Sequence, residues 1–194
     1  MARFSYWMNV SLDLKIDAAD DKGGGDWLRI GESLHREFNR RARELAMGVE
    51  GRKVYEIMEP FWPAAAADPS QPDFLQEYGR IWVETPKVLV SRTRTEAGHN
   101  TRIFGGDDAI DQLAELRATT DGVIGVGGAT IATQLLRRGL LDELMLFVHP
   151  VVLGAGRPLF DEPIGRVECD LVEHAAFEGG VTLQRYAVRG TREK

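Results

Sequence analysis

The sequence predicts one α/β domain over residues 1–194, a mixed, mostly parallel sheet between helices in three layers, with an antiparallel C-terminal edge. Three observations lead there. Strand-length apolar runs alternate with stretches of helical apolar spacing as far as about residue 150. Beyond that point two strand-like runs follow each other with no helix between them. At 194 residues, 43% hydrophobic and 28% charged, the composition suits a single soluble core.

Residues 3–12, rich in β-branched, aromatic and apolar types, begin the sheet. The polar, glycine-rich DAADDKGGGD that follows is a long loop of the kind that covers a site. From Ser33 to about Met47, apolar residues at Leu34, Phe38, Ala42 and Leu45 mark one face of a helix. GRKVYEIM opens with Gly51 and continues helically to the Pro60–Pro63 stretch, and PAAAADPSQPD reads as irregular surface chain. PKVLVSRT is a strand, with its proline at the first residue, where a missing N–H does least harm. RIFGGDDAIDQLAELRA divides into a short strand, a turn and a helix capped by Asp107 or Asp108. DGVIGVGG is a buried strand, TIATQLLRRGL a helix ending near Gly139, and DELMLFVHPVVL another strand. After the GAGRPLF loop, two strands meet around Gly179–Gly180, a hairpin signal.

A net charge of -6 disfavours nonspecific attraction to nucleic acid or anionic lipid, because like charge repels phosphate before contact forms. One cysteine, Cys169, makes no internal disulfide and no thiolate cluster, and four scattered histidines have no metal-ligand spacing. The first residues lack the pattern of an export signal, and no window approaches a membrane span of about 18 apolar residues. The expectation is a cytoplasmic protein with a small-molecule ligand and no metal.

Three short stretches suit an anion. In GVGGAT, Gly127 and Gly128 stand between strand and helix, where bare backbone lets a ligand approach the free N–H groups of the helix start. The same glycines also fit a tight turn with no ligand. Gly51-Arg52-Lys53 repeats the arrangement with two cations, and solvated charges beside a turn explain it equally. Ser91-Arg92-Thr93 follows a strand with a planar guanidinium between two hydroxyls, a set that matches a phosphate monoester. All three fall at strand ends or helix starts, the ligand edge of open α/β sheets. A Rossmann site is not indicated, since GVGGAT lacks the third glycine and the next strand ends without an acidic residue. A GxxxxGK[ST] phosphate loop is absent as well.

The order SLD, GRKVYE, VLVSRT and then VGGATIATQLLRRGLLDELMLFVHPVVLGAGRPLF resembles the dihydrofolate reductase superfamily. Within it the chain is most similar to the reductase domain of bacterial riboflavin biosynthesis, the RibD C-terminal domain, and its stand-alone relatives. The resemblance implies a dihydrofolate reductase-like fold and an oxidoreductase that uses NADPH. It would transfer hydride to a pterin, a pyrimidine or a similar heterocycle, as a dihydrofolate reductase or a 5-amino-6-(5-phosphoribosylamino)uracil reductase does. By the same resemblance, Gly127, Gly128, Ala129 and Thr130 hold the pyrophosphate. Gly51, Arg52 and Lys53 lie along the phosphates, and Ser91, Arg92 and Thr93 face the adenosine 2′-phosphate. Asn9, Ser11 and Trp27 line the substrate, with the loop returning over the pocket at Asp26 and Trp27. The relatives are often homodimers, and here the C-terminal strands Val167–Val172 and Val181–Val188 offer an edge for pairing.

Two departures accompany it. Dihydrofolate reductase places a carboxylate on its first helix, whereas here that position falls near His35, between Glu32 and Glu37. Asp13, Asp26 and His35 are the candidate acids, each with a structural role as its alternative. Leu14 follows SLD where relatives carry glycine, so a differently shaped start to the lid is expected. The missing helix acid favours a second reading, a nucleotide-binding or regulatory module without turnover. A third, an α/β interaction protein with no nucleotide, requires all three anion stretches to be structural.

Overall fold

The computed structural model describes residues 1–18, 25–161 and 163–189, so residues 19–24 of the glycine-rich loop lie outside the described part. In chain order the elements are β1 (Arg3–Ser11), α1 (Glu32–Ala42), β2 (Leu45–Gly51), α2 (Arg52–Ala67), α3 (Asp73–Glu84), β3 (Lys87–Val90) and β4 (Thr101–Phe104). Then follow α4 (Ala109–Thr119), β5 (Val123–Gly127), α5 (Ala129–Arg137), β6 (Leu141–His149), β7 (Cys169–Ala176) and β8 (Thr182–Val188). The eight strands form one sheet in the order β4-β3-β2-β5-β1-β6-β8-β7. Pairing is parallel from β4 to β6 and antiparallel at β6–β8 and β8–β7. The expected mixed sheet with an antiparallel C-terminal edge is therefore present.

Alternation along the central strands sorts residues onto the two faces. Phe4, Tyr6 and Val10 of β1, Val49 of β2 and Ile124 and Val126 of β5 join Leu113 of α4 and Leu135 of α5 in the larger core. The opposite face carries α1, whose Leu34 and Phe38 meet Phe147 and Leu183, and the α2–α3 pair, where Tyr55 and Trp82 pack on Leu89. Charges tie α1 to the antiparallel edge. Arg41, almost fully buried, bonds Glu37 and Glu173, and Arg185 links Glu173 to Glu143.

Several expectations are corrected. The helix expected from Ser33 to Met47 ends at Ala42, and Leu45–Gly51 is a strand. That strand lies between β3 and β5 with both edges paired, so tertiary contacts outweigh the weak strand propensity of its alanine and glycines. Helix α2 runs through Pro60 and Pro63, and PAAAADPSQPD is helical to Ala67. Each proline removes one helical hydrogen bond, and packing against α3 compensates. At Gly79 of α3 an added Cβ would lie 2.5 Å from the Trp62 carbonyl oxygen, so the two helices approach at backbone distance. Helix α3 itself had no counterpart in the sequence reading. Asp108 occupies the α4 N-cap position, but its carboxylate accepts from the Gln112 side chain rather than from a helix amide. Leu14 adopts the left-handed conformation, φ +55°, that glycine takes at no steric cost, so the turn after β1 keeps that form despite the side chain. Strand β8 lies between β6 and β7, which leaves β7 alone as the C-terminal edge.

Candidate active site

The ends of β3, β2, β5 and β1 lie side by side, and because these strands are parallel their C-terminal ends share one edge. Strands about 4.8 Å apart put the ends of β3 and β5 about 10 Å from each other. A cleft of about 700 Å³ lies here and extends back beneath α1, α2 and α3. Gly48 and Gly125 contribute no side chain to its floor, beside Trp7, Asn9 and Glu50. His35 and Phe38 of α1, Met58 and Trp62 of α2 and Tyr78 of α3 line the helical side, while Asp17, Trp27, Lys53 and Arg157 line it elsewhere.

Two of the expected anion stretches meet at its border. Gly128 has φ +119° and ψ 130°, a conformation open to glycine, and a Cβ there would lie 3.7 Å from the Gly51 Cα. The starts of α2 and α5 are therefore neighbours. Neither start has a side-chain cap, and the first-turn amides have no partner within their helices. Lys53 borders the cleft, whereas Arg52 turns back to Glu56 on its own helix at 3.0 and 3.1 Å and lies outside the lining. The Thr130 hydroxyl donates to the Asp161 carboxylate, which also accepts from Arg157 Nε at 2.8 Å and Nη2 at 2.6 Å. Arg157 and the Thr130 hydroxyl hold Asp161 below the ordinary carboxylate range, with a smaller contribution from Lys53.

The third stretch, at the end of β3, is built as a turn. Ser91 Oγ accepts from the Thr93 and Arg94 amides at 3.2 and 3.0 Å, and Arg92 and Thr93 are exposed outside the lining. Register pairs Val90 with Gly51 and Glu50 with Gly127, so all three stretches follow one another along the edge.

Asn9 lies on the floor with its amide oriented by histidine. The Arg29 amide donates to His149 Nδ1 at 2.9 Å, so the neutral ring carries its proton on Nε2 and donates to Asn9 Oδ1 at 3.0 Å. The Asn9 amino group remains to serve as a donor. Burial, aided by Arg29, lowers His149 to about 4, which keeps it neutral. Trp27 packs edge-on against His149 with centroids 5.5 Å apart, and its buried Nε1 has no partner.

The candidate acids are distributed differently. Asp13 accepts from Ser11 Oγ and from the Leu153 and Gly154 amides, which holds it at about 2 and joins the loops after β1 and β6. It lies outside the cleft lining, and buried Ser11 is spent on Asp13 and the Lys15 amide. Asp26 is exposed, also outside the lining. His35 does line the cleft, ringed by Phe38, Trp62, Phe74 and Tyr78. Asn39 donates through Nδ2 to Phe74 and Glu77, so its Oδ1 accepts from His35 Nδ1 and leaves His35 Nε2 as an acceptor. Burial lowers the His35 pKa and keeps the ring neutral.

Sequence reasoning did not single out Glu50, Arg157 or Asp161. With one helix carried to Met47 and the next begun at Gly51, Glu50 belonged to no element; an acidic residue before Gly51 at the end of an apolar stretch was the available signal. Trp82 Nε1 donates to Glu50 Oε1 at 3.0 Å, and buried Oε2 has no partner. Burial raises the carboxyl to about 7, against smaller opposing effects of Trp82 and Lys87. Among the described residues, no group of three or more His, Cys, Asp or Glu is placed to hold a metal ion, and no helix is long and apolar enough to cross a membrane.

Comparison with known proteins follows the same architecture. The RibD C-terminal domain family matches residues 6–183. The uncharacterized protein YyaP of Bacillus subtilis strain 168 is 32% identical over 141 residues, 72% of each chain. The crystal structure of a putative riboflavin biosynthesis protein from Shewanella sp. PV-4 has a TM-score of 0.73 at 21% identity, covering 97% of this chain and 99% of that one. The diaminohydroxyphosphoribosylaminopyrimidine deaminase/5-amino-6-(5-phosphoribosylamino)uracil reductase of Thermotoga maritima has a TM-score of 0.66 at 14% identity. It covers 97% of this chain and 57% of its own. At these identities the two structures establish a shared fold.

Proposed function

The chain belongs to the RibD C-terminal domain family, and from that premise we propose that it is an NADPH-dependent oxidoreductase acting on a flat pyrimidine- or pterin-like heterocycle. The observation that carries this reading is the convergence of the Gly51 and Gly128 junctions beside a deep cleft with aromatic walls. The residues present fit a dinucleotide. Amides ahead of Thr130 suit a diphosphate, with Lys53 and Arg157 as neighbouring cations. Ser91, Arg92 and Thr93, one strand beyond Gly51, suit the adenosine 2′-phosphate, and Arg92 is the group that would select NADPH over NADH. The nicotinamide, when bound, supplies the hydride.

The chain's own contribution is position and exclusion of water. Asn9, fixed through His149, offers an amino group to a ring carbonyl, and Trp27 Nε1 offers a second donor. Phe38, Trp62 and Trp27 supply aromatic walls against which a flat ring would pack. Titration with NADPH and NADH tests the cofactor. NADPH is expected to bind at least about tenfold tighter, and Arg92→Ala to close that gap. NADPH oxidation with dihydrofolate and with 5-amino-6-(5-phosphoribosylamino)uracil tests turnover. Tight NADPH binding with no oxidation of any heterocycle favours the nucleotide-binding module, and no binding of either coenzyme defeats both readings. Two copies would pair through β7, where Leu171 and Val172 are exposed; a monomeric mass in solution overturns that pairing.

A further inference from the structure

Among the described residues, Glu50 is the acidic side chain of the cleft with a buried carboxyl oxygen that has no hydrogen-bond partner. Alternation along β2 puts Val49 in the larger core and Glu50 on the helical face. Trp82 fixes Oε1, and Oε2, out of contact with water, has no partner. A buried acceptor or hydroxyl without a partner is costly. Such a group at a cleft is accounted for when a ligand completes it.

The surrounding titratable groups do not complete it. Lys87 of β3 donates its ammonium to the Trp82 and Thr85 carbonyls. Tyr78 of α3 is held protonated by burial, and the Glu50 charge adds to that effect. His35 of α1 is a neutral acceptor, as its bond to Asn39 requires. On α2, Glu56 is paired with Arg52, and Lys53 borders the cleft as the remaining cation.

We propose that Glu50 is the acid of this site, giving the proton on Oε2 to the nitrogen of the C=N bond whose carbon accepts hydride. The inference rests on the reductase reading above. The substrate's C=N bond, in 5-amino-6-(5-phosphoribosylamino)uracil the imine of the ring-opened ribosylamino group, gives up its π pair to a new N–H bond as the Glu50 O–H bond breaks. The carbon gains its C–H bond from the hydride, and the dihydronicotinamide is oxidised. Glu50 is left as a carboxylate and recovers its proton from solvent admitted to the cleft as product leaves. Burial makes the group suitable, because a carboxyl raised to about 7 keeps a protonated population at neutral pH that is a competent donor in the step.

The test uses the full chain in two measurements. Infrared difference spectra of the NADPH complex, with and without 5-amino-6-(5-phosphoribosylamino)uracil, follow the protonated carboxyl band. The band is expected to shift when that probe is added and to be missing in Glu50→Gln. Stopped-flow oxidation of NADPH with the same probe then compares variants across pH. Glu50→Gln is expected to keep NADPH affinity and to lose about 10²- to 10⁴-fold in hydride transfer. Its rate should no longer fall above pH 7. Glu50→Asp, an acid one methylene short, is expected to restore part of the rate, which a purely structural role does not predict. A carboxyl band unmoved by the probe while NADPH binds overturns the proposal. So does Glu50→Gln turning over at the wild-type rate. Failure of NADPH to bind at all defeats instead the reductase reading on which the proposal rests.

Discussion

Glu50→Gln should make the protein more stable at pH 8 although it removes a carboxyl that lines the candidate active site. Glutamine keeps an oxygen for the Trp82 N–H, so shape and the existing hydrogen bond persist. What it removes is a charge confined by burial. In the unfolded chain the carboxyl ionises at its ordinary 4.5, and in the folded protein near 7. Because the folded value is raised, the stability supplied by the neutral form is complete below pH 4.5. It is lost as pH climbs through 7. That displacement corresponds to about 3 kcal/mol, a large share of a typical domain's net stability. Urea denaturation of both proteins, followed by tryptophan fluorescence between pH 4.5 and 8, measures the gap. Titrating groups remote from Glu50 cancel in the difference, whereas Lys87, whose ammonium the Glu50 charge favours, subtracts from the gap near pH 8. The two should agree within about 1 kcal/mol at pH 4.5 and diverge by about 3 kcal/mol at pH 8, the variant being the stronger. A gap that does not change with pH, or a variant weaker at pH 8, refutes the assignment of Glu50 as a buried, uncompensated carboxyl. Stability given up at a functional group is a familiar trade-off.

Three further outcomes follow from the same geometry. His149→Gln should flatten the acid limb of stability. The native histidine, depressed from 6.5 to about 4, supports the fold above 6.5 and loses that support as pH falls through 4, which urea titrations at pH 7 and 4.5 compare directly. Gly128→Ala should cost about 1–3 kcal/mol in urea denaturation. Its backbone conformation is the source, because the nearest atom to an added Cβ is 3.7 Å away. Asp161→Asn should raise NADPH affinity about five-fold in a calorimetric titration by removing a like charge from the α5 start and releasing Arg157; unchanged or weaker affinity argues against a diphosphate there.

Much of the architecture was legible in local pattern. The strand around Ile124–Val126, the glycine pair before α5, the Gly139 end of that helix and the hairpin at Gly179–Gly180 each follow from short-range rules of spacing, positive φ and capping. Those rules failed where two periodicities overlapped. Leu45 extended the α1 stripe in sequence but begins β2, since pairing on both sides rewards an extended chain that its residues alone do not favour. Prolines 60 and 63 suggested an ending, yet α3 packs on α2 closely enough to keep it continuous through both.

The site divides along the same physical line. Backbone features suited to an anion depend on near neighbours, so GRK, SRT and GGAT could be located from residue order, and their succession along one sheet edge follows from strand order. The state of a side chain depends on what distant parts of the chain place around it. Asp13 is consumed by amides about 140 residues away, Asn9 is oriented by a histidine equally remote, and Glu50 is isolated beneath α3. Burial and hydrogen-bond partners set a carboxyl's proton affinity, and neither exists until the chain has closed on itself.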